Sequence, residues 1–196
     1  MTQGDVARRI VTRHGMTYAE EAEITLRDKP SPLYRLLVLS TLLSARISAD
    51  IAAAAARELS SAGYRTPRRM SEATWQQRVD ALGRGHYRRY DERTATQLGD
   101  GADLLMAECG GDLRRLRERG DPSEIRARLQ DFPGIGPTGA AIFCREVQGI
   151  WSELAPALDD KVLRRFRGFA RNRWPIRGNS GHRVRAVVRF VDGRDR

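Results

Sequence analysis

Hydrophobic residues along the chain recur mostly with a helical period, in runs separated by short polar, glycine or proline breaks. Residues 33–43 are almost all apolar, a run too long for most strands and typical of a helix buried on nearly every side. Further helices are predicted at 49–60, which is rich in alanine, and at 94–109, which ends at Gly110-Gly111 because helix C-termini favour glycine. The pattern therefore predicts an all-α protein with a buried central helix.

Weaker patterns complete the predicted set of helices. Residues 6–13 and 18–26 are expected to be helical, with Lys29-Pro-Ser-Pro32 breaking the chain after the second. Residues 67–82 predict one helix or two short ones, the second capped by Ser71. Residues 180–191 fit either a helix or a strand, and their helical neighbours favour a helix.

The segment 132–137, Phe-Pro-Gly-Ile-Gly-Pro, predicts a tight turn between two helices. Proline cannot extend the preceding helix, at 123–130, and it restricts the residue before it. Gly134 and Gly136 permit backbone angles closed to other residues and let a phosphate approach main-chain N–H groups at the positive end of the next helix. Ile135 is expected to point inward and fix the turn.

Charge gives the first indication of a partner. The 196 residues carry a formal net charge of +10, with a pI near 10.6, and only Lys29 and Lys161 among the 35 basic residues are lysines. Such a charge suits a polyanion, because each neutralised phosphate releases counterions and arginine binds phosphate through two parallel hydrogen bonds. Nucleic acid is the leading partner; the alternative is that arginine reflects codon bias and the charge only maintains solubility.

Several other classes of protein are not expected. The chain has no apolar run of membrane-spanning length, and residues 1–13 lack the hydrophobic core of a signal peptide. Cys109 and Cys144 are predicted to be separate buried thiols in a reducing compartment, and the three histidines have no zinc-binding spacing. We therefore expect a cytoplasmic, nucleoid-associated protein with no membrane partner and no metal site.

Two motifs resemble those of a known family. Pro133-Gly-Ile-Gly136, followed by a helix rich in small residues, resembles the helix-hairpin-helix of the endonuclease III-like (HhH-GPD) DNA glycosylases. Residues 158–164, Leu-Asp-Asp-Lys-Val-Leu-Arg, begin 22 residues after Gly136 and resemble the family segment hydrophobic-Asp-x-x-hydrophobic-x-Arg. The resemblance assigns the catalytic role to Asp159, with Arg164 as the family arginine. The alternatives are that Asp159 only caps its helix or that Asp160 holds the role.

The same resemblance implies which residues contact DNA. Leu42-Leu-Ser-Ala-Arg46 is similar to the corner whose polar residue enters the duplex, so Arg46 is expected to intercalate or, alternatively, to bind a phosphate from the surface. DNA contacts are expected from the hairpin residues Gly134, Ile135, Gly136 and Thr138. The basic, aromatic loop at 83–93 and the later Trp151 supply the candidates for the base pocket, which are His86, Tyr87, Tyr90 and Trp151. Alternatively, the tyrosines of the loop cover the core.

The chain departs from the family in two places. No cysteine follows Asp159, so the four-cysteine iron–sulfur cluster of many members is not expected, although a monovalent cation could bind at the hairpin. Bifunctional members place a lysine two residues after the second glycine, where this chain has Thr138. The resemblance therefore implies a monofunctional glycosylase without lyase activity; Lys161, close to Asp159 in sequence, leaves that prediction open to test.

Together these observations predict an all-α protein of two helical lobes with a DNA-binding cleft between them. One lobe spans residues 33–147, with the helix-hairpin-helix at about 123–147, and the other comprises 1–32 and 148–196. The expected function is removal of a damaged or mispaired base from double-stranded DNA by a monomer in base excision repair. A non-catalytic DNA-binding protein that uses the same hairpin is the alternative, and the sequence does not identify the base.

Overall fold

The computed structural model describes residues 16–119 and 121–155, and the regular structure in these ranges is all helical. The predicted all-α class is therefore confirmed for the described residues, whereas the predictions at 6–13, 180–191, Asp159 and Arg164 lie outside them. The elements, in chain order, are α1 Tyr18–Glu21, α2 Pro30–Leu43, α3 Ala49–Ser61, α4 Pro67–Glu72, α5 Trp75–Arg84, α6 Asp91–Cys109, a 3-10 helix Leu113–Arg119, α7 Pro122–Leu129, α8 Pro137–Val147 and a 3-10 helix Ser152–Leu154.

Helix α2 is the buried centre of the fold, as its apolar run predicts. Leu33, Leu36, Leu39 and Leu42 have no exposed surface, and α3, α6 and α8 all pack against the helix. The predicted chain break at Pro30 and Pro32 is wrong, because Pro30 instead begins the helix. Proline suits a first helical turn, because its fixed φ is already helical and an N–H group at that position would have no partner within the helix.

Helix α1 is shorter than the predicted helix at 18–26. Its start is as predicted, because Thr17 and Glu20 form a capping box in which each side chain accepts the other's backbone N–H. The helix ends at Glu21, and Glu23 has a left-handed backbone with φ of 55°. Arg35 of α2 donates to the Glu23 carbonyl at 3.0 Å. A tertiary contact therefore holds this end, which the local pattern could not indicate.

Residues 67–82 form two helices, one of the two predicted outcomes. The second helix is capped by Thr74 in a capping box with Gln77, and the prediction that Ser71 caps it is wrong. The reason is that α4 continues through Ser71, whose hydroxyl bonds Asp103 of α6 instead. Arg78 connects the two helices, because its guanidinium donates hydrogen bonds to the backbone carbonyls of Met70 and Ala73.

Residues Thr17–Ala155 form one compact unit that includes segments on both sides of 33–147. Trp151 is fully buried and its indole N–H donates to Asp28 at 3.0 Å. Arg117 donates to the other oxygen of Asp28 at 2.9 Å, and its guanidinium lies 5.2 Å from the centre of the Trp151 ring. The predicted division into two lobes stays a prediction, because most of the second lobe lies outside the described residues.

A buried carboxylate connects α8 to α1. The side chain of Glu146 is only 5% exposed, and it accepts the backbone N–H of Ala19 at 3.0 Å. Burial raises the pKa of Glu146, and the Ala19 N–H and the nearby Arg145 only partly oppose that shift. Its ionised form is therefore less favourable in the folded protein than in the unfolded chain.

This shift predicts a pH-dependent cost at Glu146. The folded pKa of Glu146 lies above its unfolded pKa, which is near 4.5. The contribution of Glu146 to stability is therefore complete below pH 4.5 and is lost as the pH rises through the folded pKa. Glu146→Gln keeps an oxygen to accept the Ala19 N–H and does not ionise. We expect the unfolding free energy of Glu146→Gln to increase relative to that of the wild type as the pH rises above 4.5. Urea denaturation at several pH values would measure this difference. A difference that is constant with pH would contradict this expectation.

Candidate nucleic-acid interface

The turn between α7 and α8 is a type II β-turn formed by residues 132–135. The Ile135 N–H donates to the Phe132 carbonyl at 3.0 Å, Pro133 holds the second position, and Gly134 holds the third with φ of 83°. A type II turn requires positive φ at its third position, so glycine is the natural residue there. The predicted tight turn is thus confirmed. Phe132 and Ile135 are both buried, which also confirms the predicted inward orientation of Ile135.

Gly134 also lies where the turn contacts two other helices. A Cβ atom added to it would lie 2.9 Å from Cγ2 of Thr41 in α2 and 2.7 Å from Oε1 of Gln97 in α6. The Gln97 side chain is flexible, but the β-branched Thr41 is buried within a helix and cannot move away easily. The absence of a side chain at Gly134 therefore lets the turn pack directly against α2.

The start of α8 is open at Gly136. Gly136 is its N-cap, with an extended backbone and no side-chain cap, and a Cβ atom there would meet nothing within 4 Å. The N–H groups of Gly136, Thr138 and Gly139 have no hydrogen-bond partner among the described residues. Unpaired amides at a helix N-terminus favour an anion, because the helix dipole is positive there. Thr138 is exposed beside them.

Helix α8 contacts the C-terminal end of α2 and the corner that follows it. A Cβ atom added to Gly139 would lie 2.1 Å from the hydroxyl oxygen of Ser44 and 3.2 Å from the carbonyl oxygen of Ser40. Close packing at Gly139 therefore seats the start of α8 on the C-terminal end of α2. Arg46 follows two residues after Ser44, is exposed, and has no side-chain partner among the described residues.

The loop after α5 reaches the same end of α2. Helix α5 extends through Arg84, slightly beyond the predicted start of the loop at 83. Tyr87 is fully buried, and its hydroxyl donates to the Leu42 carbonyl at 3.3 Å. Burial raises the pKa of Tyr87. Its side chain therefore supports the core, whereas the adjacent His86 is exposed.

The remaining base-pocket candidates lie in different surroundings. Trp151 is fully buried in the contact with Asp28 and Arg117, so its ring is not available to a base in this arrangement. Tyr90 is partly buried, and the guanidinium of Arg89 lies 5.2 Å from the centre of its ring. Among the described candidates, the structure thus gathers the turn, the start of α8, Arg46 and the loop with His86 around the C-terminal end of α2.

Two residues that assemble this region, Ser44 and Gly139, have no role predicted from the sequence. Ser44 lies within the predicted corner, and Gly139 is one of the small residues in the helix that follows the predicted turn. A glycine inside a predicted helix is a signal of close backbone approach, and it could have pointed to the contact between α8 and α2.

Charge is divided unevenly along the sequence. Residues 17–155 contain 20 Lys and Arg and 20 Asp and Glu, so the formal charges of this unit cancel. The 15 basic and five acidic residues at 1–16 and 156–196 therefore account for the entire net charge of +10. Long-range attraction to a polyanion would come mainly from these terminal sequences, whereas residues 17–155 offer local groups such as Arg46 and the α8 amides.

Comparison with known proteins gives no match to any family model, to any curated protein or to any solved structure. In the described ranges, no helix has both the length and the apolar composition needed to cross a membrane. The same ranges contain no cluster of three or more His, Cys, Asp or Glu residues arranged to hold a metal ion.

The double constraint on Gly134 predicts a costly alanine substitution. Gly134→Ala adds a Cβ at positive φ and forces it against Thr41. We expect a loss of about 2–3 kcal/mol in unfolding free energy, measured by chemical denaturation. Gly149→Ala is the matched control, because no atom lies within 4 Å of its added Cβ and its φ is not positive, so it should change stability by less than about 0.5 kcal/mol. Equal effects would mean that the turn is not tightly seated.

Proposed function

We propose that this protein is a monofunctional DNA glycosylase that removes a damaged or mispaired base from double-stranded DNA. The observation that carries the proposal is the start of α8, which is open at Gly136 and has three amides without a partner among the described residues, beside the corner that presents Arg46. In this proposal α7, the turn and α8 are a helix-hairpin-helix, and a DNA-binding cleft separates two helical lobes.

The proposed role of the hairpin is to hold one phosphate of the duplex. The N–H groups of Gly136, Thr138 and Gly139 would donate to the phosphate oxygens, and the open space at Gly136 allows the anion to approach the backbone. Such contacts position DNA without reading its sequence. The buried side chains of Phe132 and Ile135 support this role, because they fix the amides in place before DNA binds.

The proposed role of Arg46 is to fill the space left by the extruded nucleotide. A glycosylase must turn its target nucleotide out of the stack, which costs a few kcal/mol that contacts to the remaining duplex must offset. The planar guanidinium of Arg46 can stack on the neighbouring bases, and the residue is exposed on a corner fixed by the contact between Ser44 and Gly139. The hairpin and the intercalating residue would thus engage neighbouring parts of the same duplex.

The proposed catalytic residue is Asp159, which lies outside the described residues and is assigned from its sequence motif. Cleavage of the N-glycosidic bond builds positive, oxocarbenium-like charge on the deoxyribose. A carboxylate beside that carbon can stabilise the charge and can activate the attacking water. One aspartate therefore suffices for hydrolysis, and no covalent nucleophile is needed.

Thr138 supports the monofunctional assignment. It occupies the second helical position of α8, where the resemblance places a lysine in bifunctional enzymes, and its exposed hydroxyl cannot form an imine. Lys29, the lysine within the described residues, is the N-cap of α2. An amine nucleophile from the hairpin is thus absent from the proposed mechanism.

A charge at the N-cap of α8 tests the hairpin's role. We expect Gly136→Asp to weaken binding to lesion-containing and undamaged duplexes alike, on the order of tenfold, because a carboxylate would occupy the phosphate position. Stability should not fall, since Asp is a favoured N-cap and nothing lies within 4 Å of the added Cβ.

Gly149→Asp provides the control for Gly136→Asp, because it makes the same charge change at another open position outside the turn. Fluorescence anisotropy with both duplexes would measure the affinities. If both variants bound as tightly as the wild type, the hairpin would be excluded from the interface.

Catalysis is tested with duplexes that each carry one damaged or mispaired base, followed by alkali to cleave at abasic sites. We expect the wild type to excise at least one such base. Asp159→Asn should reduce that rate on the order of 10²-fold or more, a loss of roughly 3 kcal/mol of transition-state stabilisation, while lesion binding survives.

Asp160→Asn is the neighbouring control and should keep most of the activity. The opposite result, loss with Asp160→Asn but not with Asp159→Asn, would shift the catalytic assignment by one residue. Tight binding without product from any lesion duplex would instead favour the non-catalytic DNA-binding protein.

A further inference from the structure

His86 occupies a backbone position that usually belongs to glycine. Helix α5 ends in a Schellman motif, in which the Tyr87 N–H donates to the Leu82 carbonyl and the His86 N–H to the Gly83 carbonyl, both at 3.0 Å. The residue in the His86 position of this motif is left-handed, and His86 has φ of 62°. A non-glycine residue pays a conformational cost there, although histidine tolerates it better than most.

The glycine next to His86 serves a different purpose. A Cβ atom on Gly85 would lie 2.4 Å from the Cα atom of Ala55 and 2.6 Å from its backbone nitrogen, so the loop needs Gly85 in order to pack against α3. The side chain of His86 is exposed and has no hydrogen-bond partner among the described residues. No contact in this part of the chain therefore accounts for histidine at the left-handed position.

Tyr87 connects the loop that carries His86 and Arg88 to the core. Its buried ring and its hydrogen bond to the Leu42 carbonyl attach the loop to the C-terminal end of α2. His86 and Arg88, on either side of it, are exposed, and the guanidinium of Arg88 has no partner among the described residues. Arg46 lies on the corner that follows the same end of α2, four residues after Leu42.

On the basis of the function proposed above, we propose that His86 and Arg88 form a second phosphate-binding surface of the protein, beside Arg46 and separate from the hairpin. An imidazole N–H and a guanidinium are both suitable donors to phosphate oxygens, and the guanidinium can donate two parallel hydrogen bonds. The partner is the sugar–phosphate backbone of a DNA duplex. The left-handed histidine is retained for this contact at the expense of stability.

The test uses the opposite effects that His86→Gly has on stability and on binding. Glycine adopts the left-handed conformation without the conformational cost that histidine has there. The thermal midpoint should therefore rise by about 2–4 °C, the shift expected for a gain of about 1 kcal/mol in unfolding free energy in a chain of this size. Loss of the imidazole should weaken duplex binding about fivefold, which corresponds to one hydrogen bond. A residue with only a structural role would give the first effect without the second.

Glu23→Gly is the matched control. Glu23 is the other non-glycine residue with positive φ among the described residues, at 55°, and its side chain is 77% exposed. Its carbonyl accepts Arg35, near the beginning of α2 rather than the end that bears the corner. The thermal midpoint should rise similarly without loss of affinity, because the ion pair of Glu23 with Arg57 at 4.0 Å, which the variant also removes, is exposed and contributes little to stability. Because this variant also removes a negative charge, any electrostatic effect on binding would be a gain.

Arg88→Ala provides a second, independent readout. Removing one phosphate contact should make the negative slope of log affinity against log salt concentration shallower by about 0.9. Unchanged affinity in His86→Gly together with an unchanged salt slope in Arg88→Ala would overturn the second surface, even if the wild type binds DNA and excises a base. Failure of the wild type to bind any duplex would overturn the proposed function and this surface together.

Discussion

Burial of α2 along nearly its whole length is the constraint on which the other contacts depend. Leu33, Leu36, Leu39 and Leu42 have no exposed surface, and neighbouring segments approach the helix closely. At its C-terminal end, Gly134 fits against Thr41, Gly139 fits against Ser44, and Tyr87 donates to the carbonyl of Leu42. Two segments that are distant in sequence, the turn with the start of α8 and the loop after α5, thus meet at one helix end, and each is fixed there by close packing or a buried hydrogen bond.

Arginine in this protein has a structural role as well as an electrostatic one. Arg78 donates to the carbonyls of Met70 and Ala73 at 2.9 and 2.8 Å, and Arg65 donates to the carbonyl of Ser60 at 2.8 Å. A guanidinium has five N–H donors in a fixed plane, so one side chain can satisfy several carbonyls at a helix end. Part of the high arginine content therefore serves the fold itself, and the formal charges of residues 17–155 cancel.

Local features of the sequence were sufficient to predict most of the described helices and the turn before α8. The apolar run predicts α2, the predicted end of α6 at Gly110 is confirmed, and Pro133 and Gly134 form the predicted turn. These features depend on helical period and on the restricted backbone angles of proline and glycine, which act over a few residues. The errors at Pro30 and Ser71 concern helix ends, where the same residue types can stop a helix or start one.

The sequence by itself therefore determined the all-α class of the described residues, the position of the tight turn and the inward orientation of Ile135. Only the tertiary structure decided that Tyr87 and Trp151 are buried, because their partners Leu42 and Asp28 lie 45 and 123 positions away. Burial and close approach depend on which distant segments meet, and local periodicity contains no information about that pairing.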